Sequence, residues 1–137
     1  TTEVTEYHGE YIDFPPLVCA PKPVQKPHPP IFVGGELDSA ARRIANYGDG
    51  WLPRARNTSQ YENPDKLSSA RKHIEGLMTA RGRDASKLNI TMWDAPHDRD
   101  MNRRFFDAGA DRIVHMLNTT DQKSAHEDLE KLAEAVL

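Results

Sequence analysis

Cysteine occurs once in the 137 residues, at Cys19. A single thiol excludes an internal disulfide and fits a reducing compartment such as the cytoplasm. Long apolar runs are missing too, since none approaches the roughly 20 residues that a membrane-spanning helix needs. No secretory signal pattern opens the sequence, and the first residue is Thr1 rather than methionine, as a processed or shortened start would leave it. Charge of one sign is also scarce: 18 basic and 21 acidic residues are mixed along the chain for a net −3. Without a basic stripe or a polybasic cluster, neither nucleic acid nor a membrane surface is an expected partner. No phosphate loop of the GxxxxGK type occurs, and no Ser–His–Asp, Cys–His or paired-glutamate arrangement stands out. What remains is 37% hydrophobic and 28% charged residues, the balance of one ordinary domain with a real core.

Residues 1–30 carry no helical period. YHGEYIDF, from Tyr7 to Phe14, alternates loosely around Gly9 and predicts a short extended arm or hairpin. Then come Pro21, Pro23, Pro27, Pro29 and Pro30. They fix φ and restrict their neighbours, which predicts an extended, polyproline-like lead-in. A recognition motif for proline-binding domains is the alternative, but Pro29-Pro30 abuts a strand and favours an ordered connector.

From residue 31 to 137 one unit recurs: short apolar strand, loop, amphipathic helix, glycine, next strand. The first strand is Ile31-Phe32-Val33, followed by a helix over Ser39 to Tyr47 with Asp38 as N-cap. Gly48 stops it, and Asp49-Gly50 leads into Trp51-Leu52-Pro53. Asn63-Pro64 opens a second helix with Leu67, Ala70, Ile74, Leu77 and Met78 on one face, ended by Gly82. A third strand spans Leu88 to Trp93, and a helix from Asp98 to Ala108 buries Met101 and Phe105. Gly109 hands over to a fourth strand, Ile113 to Leu117. The last helix starts near Ser124, with Glu127 completing a capping box and Ala125, Leu129, Leu132 and Val136 as its stripe. IANYGDGWLP and FFDAGADRIV share one layout of helix end, glycine, aspartate and strand. Repeats of this kind make a parallel sheet with helical crossovers. Four units are visible, whereas a closed (β/α)8 barrel needs eight over about 250 residues.

PKPVQKPHPPIFVGG, followed by AARRIANYGDGWLP and later AGADRIV, resembles the C-terminal half of the bacterial luciferase-like monooxygenase family, with the deazaflavin-using branch the nearest in flavour. The ordered set covers nearly the whole chain. The resemblance implies the last four β/α units of a (β/α)8 barrel. It also implies an oxidoreductase or monooxygenase whose FMN or deazaflavin (coenzyme F420) lies across the C-terminal strand ends, beside a small organic substrate. Much of the family's cofactor and acid–base apparatus belongs to the first four strands, which these residues do not supply.

Gly34 and Gly35 follow a strand and precede a helix N-terminus, where bare backbone N–H groups can approach an anion. In the family the matching pair borders the phosphate-bearing tail of the cofactor; the plain alternative is a turn. Glu36 and Asp38 add negative charge there, so the positive partners of a phosphate are expected from elsewhere. Arg54 and Arg56 leave the second strand at its C-terminal end, and Arg54 is the candidate for an anionic cofactor or substrate group. Trp51 is expected in the core. Trp93, Asp94 and Asn118, also at strand exits, are candidates for the substrate pocket, with Thr119 beside them. His97, Asp98 and Asp100 near Asp94 lack the spacing of a metal site, and Asp98 reads more simply as a helix cap. His115 is the acid–base candidate if it faces the barrel interior; a hydrogen-bonded core histidine is its alternative.

Four strands with helices on one side leave two unpaired edges and an inner face expected to be apolar. The expected partner is an N-terminal half-barrel, in the same or a separate chain, or a second copy forming a dimer. The competing function is a non-catalytic half-barrel that binds or assembles but does not catalyse.

Overall fold

The computed structural model describes residues 2–55, 63–117, 119 and 121–136. The chain divides into two compact units, Thr1–Pro30 and Ile31–Leu137.

In the first unit, β1 (Thr5–His8) and β2 (Asp13–Leu17) form an antiparallel hairpin. Tyr7 lies opposite Phe14 with ring centroids 6.3 Å apart, and the His8 ring bonds the Asp13 carboxylate. Gly9 makes the turn, donating its N–H to the Ile12 carbonyl at 2.9 Å. The proline tract that follows does not run as a straight rod. It bends at residue 21 and over residues 24–27, and the Ala20–Pro21 and Lys26–Pro27 peptide bonds are cis. Proline fixes its own φ but leaves ψ of Val24 and Gln25 free to turn.

The second unit is a sheet of four parallel strands in the order β3 (Phe32–Gly34), β4 (Gly50–Leu52), β5 (Asn89–Trp93) and β6 (Arg112–Val114). The crossovers are α1 (Leu37–Asn46), α2 (Pro64–Ala80) and α3 (Arg99–Asp107), and α4 (Gln122–Val136) closes the chain. Val33 pairs with Trp51, and Trp51 with Ile90, so these three share a face with Met92. That face meets the helices. Ala40, Ala41 and Ile44 of α1, Leu67, Ala70, Ile74 and Met78 of α2, and Phe105 of α3 are buried against it. Small residues on α1 let its backbone lie close to the sheet, while the large ones on α2 each contribute about 2 kcal/mol by leaving water.

The helix ends show which local signals won. Asn63 caps α2 by accepting the Asp65 N–H at 3.0 Å, and Asp98 caps α3 by accepting the Met101 N–H at 2.7 Å. Gly82 (φ 71°) and Gly109 (φ 103°) take the left-handed conformation just past α2 and α3. Two expected starts are corrected. α1 begins at Leu37, because the Ala40 N–H already bonds the Glu36 carbonyl, which leaves Asp38 inside the first turn. α4 begins at Gln122, because Asp121 rather than Ser124 is the capping side chain, accepting the Ser124 N–H at 2.9 Å. Its stripe is less covered than the spacing suggests, with Leu129 half exposed and no residue fully buried. β6 ends at Val114, three residues before the expected end, since no further strand among the described residues pairs along its outer edge.

The other sheet face carries Phe32, Leu52, Asn89, Thr91, Trp93, Arg112 and Val114. It is mixed rather than apolar as expected. The Thr91 hydroxyl donates to Asn89 Oδ1 at 3.0 Å, satisfying two polar groups there, while Phe32 and Trp93 each remain 37% exposed. No helix among the described residues is long and apolar enough to cross a membrane.

Candidate functional site

The C-terminal ends of β3, β4 and β5 bring Gly34, Gly35, Arg54, Trp93 and Asp94 to one rim. Gly35 has φ 103°, a conformation side chains rarely adopt, and it turns β3 towards α1. A Cβ on Gly34 would meet only the Leu52 carbonyl, at 3.9 Å, so its backbone is open to close approach. Two side chains hold the pair. Trp51, fully buried as expected of a core residue, donates its indole N–H to the Gly35 carbonyl at 3.1 Å. Arg43 donates Nη2 to the Gly34 carbonyl at 2.9 Å and Nε to the Ser39 carbonyl at 3.2 Å. Arg43, from α1, thus places a positive charge beside the pair. The sequence signal was the arginine pair in AARRIA. Arg42 folds back on the Asp38 carbonyl, whereas the next residue, 100° round the helix, faces the β3 exit.

Arg54 and Asp94 meet across the β4 and β5 exits. Arg54 Nε and Nη2 both donate to Asp94 Oδ2, at 3.2 and 3.0 Å. The backbones are registered by a parallel bridge between Arg54 and Trp93, with the Ala55 N–H bonded to the Trp93 carbonyl at 2.8 Å. Asp94 has φ 57°, the one non-glycine residue with positive φ among the described residues. Aspartate tolerates that region better than most side chains. The Asp94 side chain is 9% exposed and that of Arg54 57%. Arg56 and Asn118 lie outside the described residues; Thr119 donates its hydroxyl to the Asp121 carbonyl.

His115 does not join this rim. It lies just past β6 and shares the face of Ile113, which is the helix side and not the interior. Its Nδ1 is 3.1 Å from the Ala95 carbonyl and its Nε2 is 3.2 Å from Asn102 Nδ2 on α3. A carbonyl can only accept, so Nδ1 carries the proton, and Nε2 then accepts from the amide. The His97 ring stands edge-on to His115 with centroids 5.3 Å apart, its Nε2 bonding the Met116 carbonyl at 3.2 Å. The arrangement locks the β5 exit, the β6 exit and α3 together. Asn102 is the residue that sequence reasoning missed, since a polar position on the buried side of α3 has no periodic signal. His97, Asp98 and Asp100 are not gathered for a metal: among the described residues no three His, Cys, Asp or Glu side chains could hold one.

Residues 1–96 match the family model described as luciferase-like monooxygenase. An uncharacterised protein of Mycobacterium tuberculosis is 29% identical over 134 residues, which is 97% of this chain and 44% of that protein. The FMNH2-dependent dimethylsulfone monooxygenase of Pseudomonas putida is 39% identical over 51 residues, 37% of this chain and 14% of the enzyme. Among solved structures, an F420-dependent secondary alcohol dehydrogenase in complex with an F420-acetone adduct superposes over 100% of this chain and 49% of its own, with a TM-score of 0.53 and 17% identity. This chain therefore spans about half the length of the M. tuberculosis relative and of the solved enzyme.

Proposed function

This chain belongs to the luciferase-like monooxygenase family, and we propose that it forms the C-terminal half of a barrel oxidoreductase that uses reduced FMN or F420 on a small organic substrate. The observation that carries this reading is the rim: an open backbone at Gly34, the positive-φ turn at Gly35, an arginine beside the pair and a second arginine at the next strand exit. The cofactor fits that donor set. Gly34 and Gly35 offer backbone a phosphate can approach, and Arg43 offers charge for its oxygens.

When bound, the reduced cofactor supplies the redox chemistry. The residues of this chain bind and orient. Trp51 fixes the Gly35 carbonyl and so the shape of the glycine turn, while Arg43 fixes that of Gly34. Trp93 presents a part-exposed indole on the interior face as a wall for the apolar part of a ligand, with Asp94 beside it. His115 steadies the β6 exit from behind and does not reach the ligand side.

The open face requires a partner. Four further strands from an N-terminal half-barrel would cover Phe32 and Trp93 and pair the free edges of β3 and β6. The matched share, 44% of the M. tuberculosis relative and 49% of the solved enzyme's chain, supports that occupant. A second copy contributing another four strands is the second reading, in which the chain is a binding or assembly module without catalysis. The exposed lone thiol, Cys19, agrees with a cytoplasmic setting.

The deciding experiment mixes this chain with an N-terminal half taken from a full-length relative and titrates reduced FMN or F420, followed by fluorescence. Saturable binding of either cofactor, weakened at least tenfold by Arg43→Ala, is the expected result. No binding of either, by the chain alone or with the added half, would sink the enzyme reading.

A further inference from the structure

Among the described residues three arginines, Arg54, Arg71 and Arg83, pair with an aspartate and are used differently. Arg71 gives its donors to the Gly109 and Leu88 carbonyls and to Glu75 and Asp111; Arg83 gives its donors to the Ile44 and Gly48 carbonyls and to Asp49. Their side chains are 22% and 26% exposed, and both sit at the N-terminal end of the sheet. Arg54 is at the opposite end. Among the described residues it gives its side-chain hydrogen bonds to Asp94 alone, through Nε and Nη2 to one oxygen, and its side chain is 57% exposed. Nη1 is left with no acceptor among the described residues. A guanidinium that only closed the fold would bury its donors as the other two do.

The acceptor is the more constrained partner. Asp94 is buried, and its backbone is held in the left-handed region, a conformation of the kind that collects at ligand sites because the surrounding structure imposes it. A buried carboxylate fixed in this way sets the plane of the guanidinium and aims the unused edge outward. Trp93, paired with Arg54 in the backbone and 37% exposed, places an aromatic side chain at the neighbouring strand exit, on the same face of the sheet.

We infer that Arg54 binds the oxyanion of a small organic acid whose apolar part lies against Trp93, and that Asp94 is the residue that positions Arg54 for it. The inference rests on the proposed reading that this rim faces the ligand, and narrows the substrate class to molecules carrying a carboxylate or a phosphate. The oxyanion is taken at the β4–β5 exits, one strand along from the glycine turn, so it is distinct from a cofactor phosphate held at Gly34–Gly35.

The test is a titration of the whole chain, alone and with the added N-terminal half, followed by NMR of the Arg54 Nε–H and the Trp93 indole N–H. The probes are benzoate, benzamide as its neutral analogue, and inorganic phosphate. Benzoate is expected to shift both signals saturably and benzamide is not. Arg54→Gln should weaken benzoate at least tenfold. Asp94→Asn should weaken it three- to tenfold with Arg54 still present, and Arg54→Lys should restore only part of the loss. Phosphate shifting Arg54 alone supports an oxyanion site, with the carboxylate source read from the Trp93 signal. Equal affinity for benzoate and benzamide, or an Asp94→Asn variant that melts lower but binds benzoate unchanged, would overturn the inference. Neither outcome touches cofactor binding, which the fluorescence titration reads separately.

Discussion

The Arg71 guanidinium meets the Asp111 carboxylate at 2.9 Å, and a second arginine–aspartate pair, Arg83 with Asp49 at 3.4 Å, repeats the arrangement two β/α units earlier. In each, the aspartate also accepts a backbone N–H from the neighbouring strand region, Ile90 for Asp111 and Ile31 for Asp49. In each, the arginine reaches a glycine carbonyl at a helix end, Gly109 or Gly48. The matching words YGDG and AGAD are therefore two copies of one joint, in which a carboxylate ties two strands and an arginine closes the helix above.

Arg71 is where this joint is most loaded. Partial burial opposes its charge, but the hydrogen bond and charge of Asp111, then those of Glu75, outweigh burial and hold its pKa above the ordinary value. Arg71→Met should cost about 2–4 kcal/mol, because it leaves Asp111 without its cation and two carbonyls without donors. Urea unfolding should show a lower midpoint with an unchanged slope.

Two glycines should respond in opposite directions to alanine. Gly109 has φ 103°, and a Cβ there would stand 2.9 Å from Arg71 Cδ, so Gly109→Ala should destabilise by more than about 1 kcal/mol. Gly76 lies inside α2 with nothing within 4 Å of an added Cβ, so Gly76→Ala should stabilise by about 0.5–1 kcal/mol. Thermal melting of the two variants side by side checks both.

Much of this fold was legible because its signals are local. Gly82 and Gly109 mark helix ends, Asn63-Pro64 and Asp98 mark starts, and the spacing of Leu67, Ala70, Ile74 and Met78 gives the buried face of α2. What escaped depends on competition between neighbours or on distance. Asp121 took the cap from Ser124 because its carboxylate is placed to accept the Ser124 N–H. Arg43 and Asn102 act on groups 9 and 13 residues away, which no window of periodicity reports. At the rim, Gly34, Gly35, Arg54, Trp93 and Asp94 are strand-exit residues, and the strands themselves located them. His115 went to the other face because it follows Val114 by one residue and side chains alternate.

The tautomer of His115 is a direct check on its surroundings. Its neutral ring should carry the proton on Nδ1, the less common form in solution, because Ala95 accepts there and Asn102 donates to Nε2. Nitrogen-15 shifts of the ring at alkaline pH read this directly. Asn102→Ala should release the preference and cost about 1 kcal/mol.

The start of α4 should loosen in acid. Hydrogen bonds from Ser124, side chain first and then backbone, hold the Asp121 carboxyl below its ordinary value. A carboxylate with a depressed folded-state pKa stabilises the fold fully above its unfolded value, and that contribution is lost as pH falls through the lower, folded value. Amide exchange of residues 122–126 should therefore be unchanged from neutral pH to about 5 and quicken as pH drops below the usual carboxylate range. Asp121→Asn should flatten this dependence.

Phe32 lies across Gly50, where even one methyl carbon would sit 2.5 Å from the ring. That phenyl projects from the uncovered side of the sheet, so on the proposed reading it claims a fixed volume at the level where four further strands would close a ring. A mate seated there, on that reading, would offer small side chains opposite Phe32, and shape at a single layer would screen one mate from another before any charge is read.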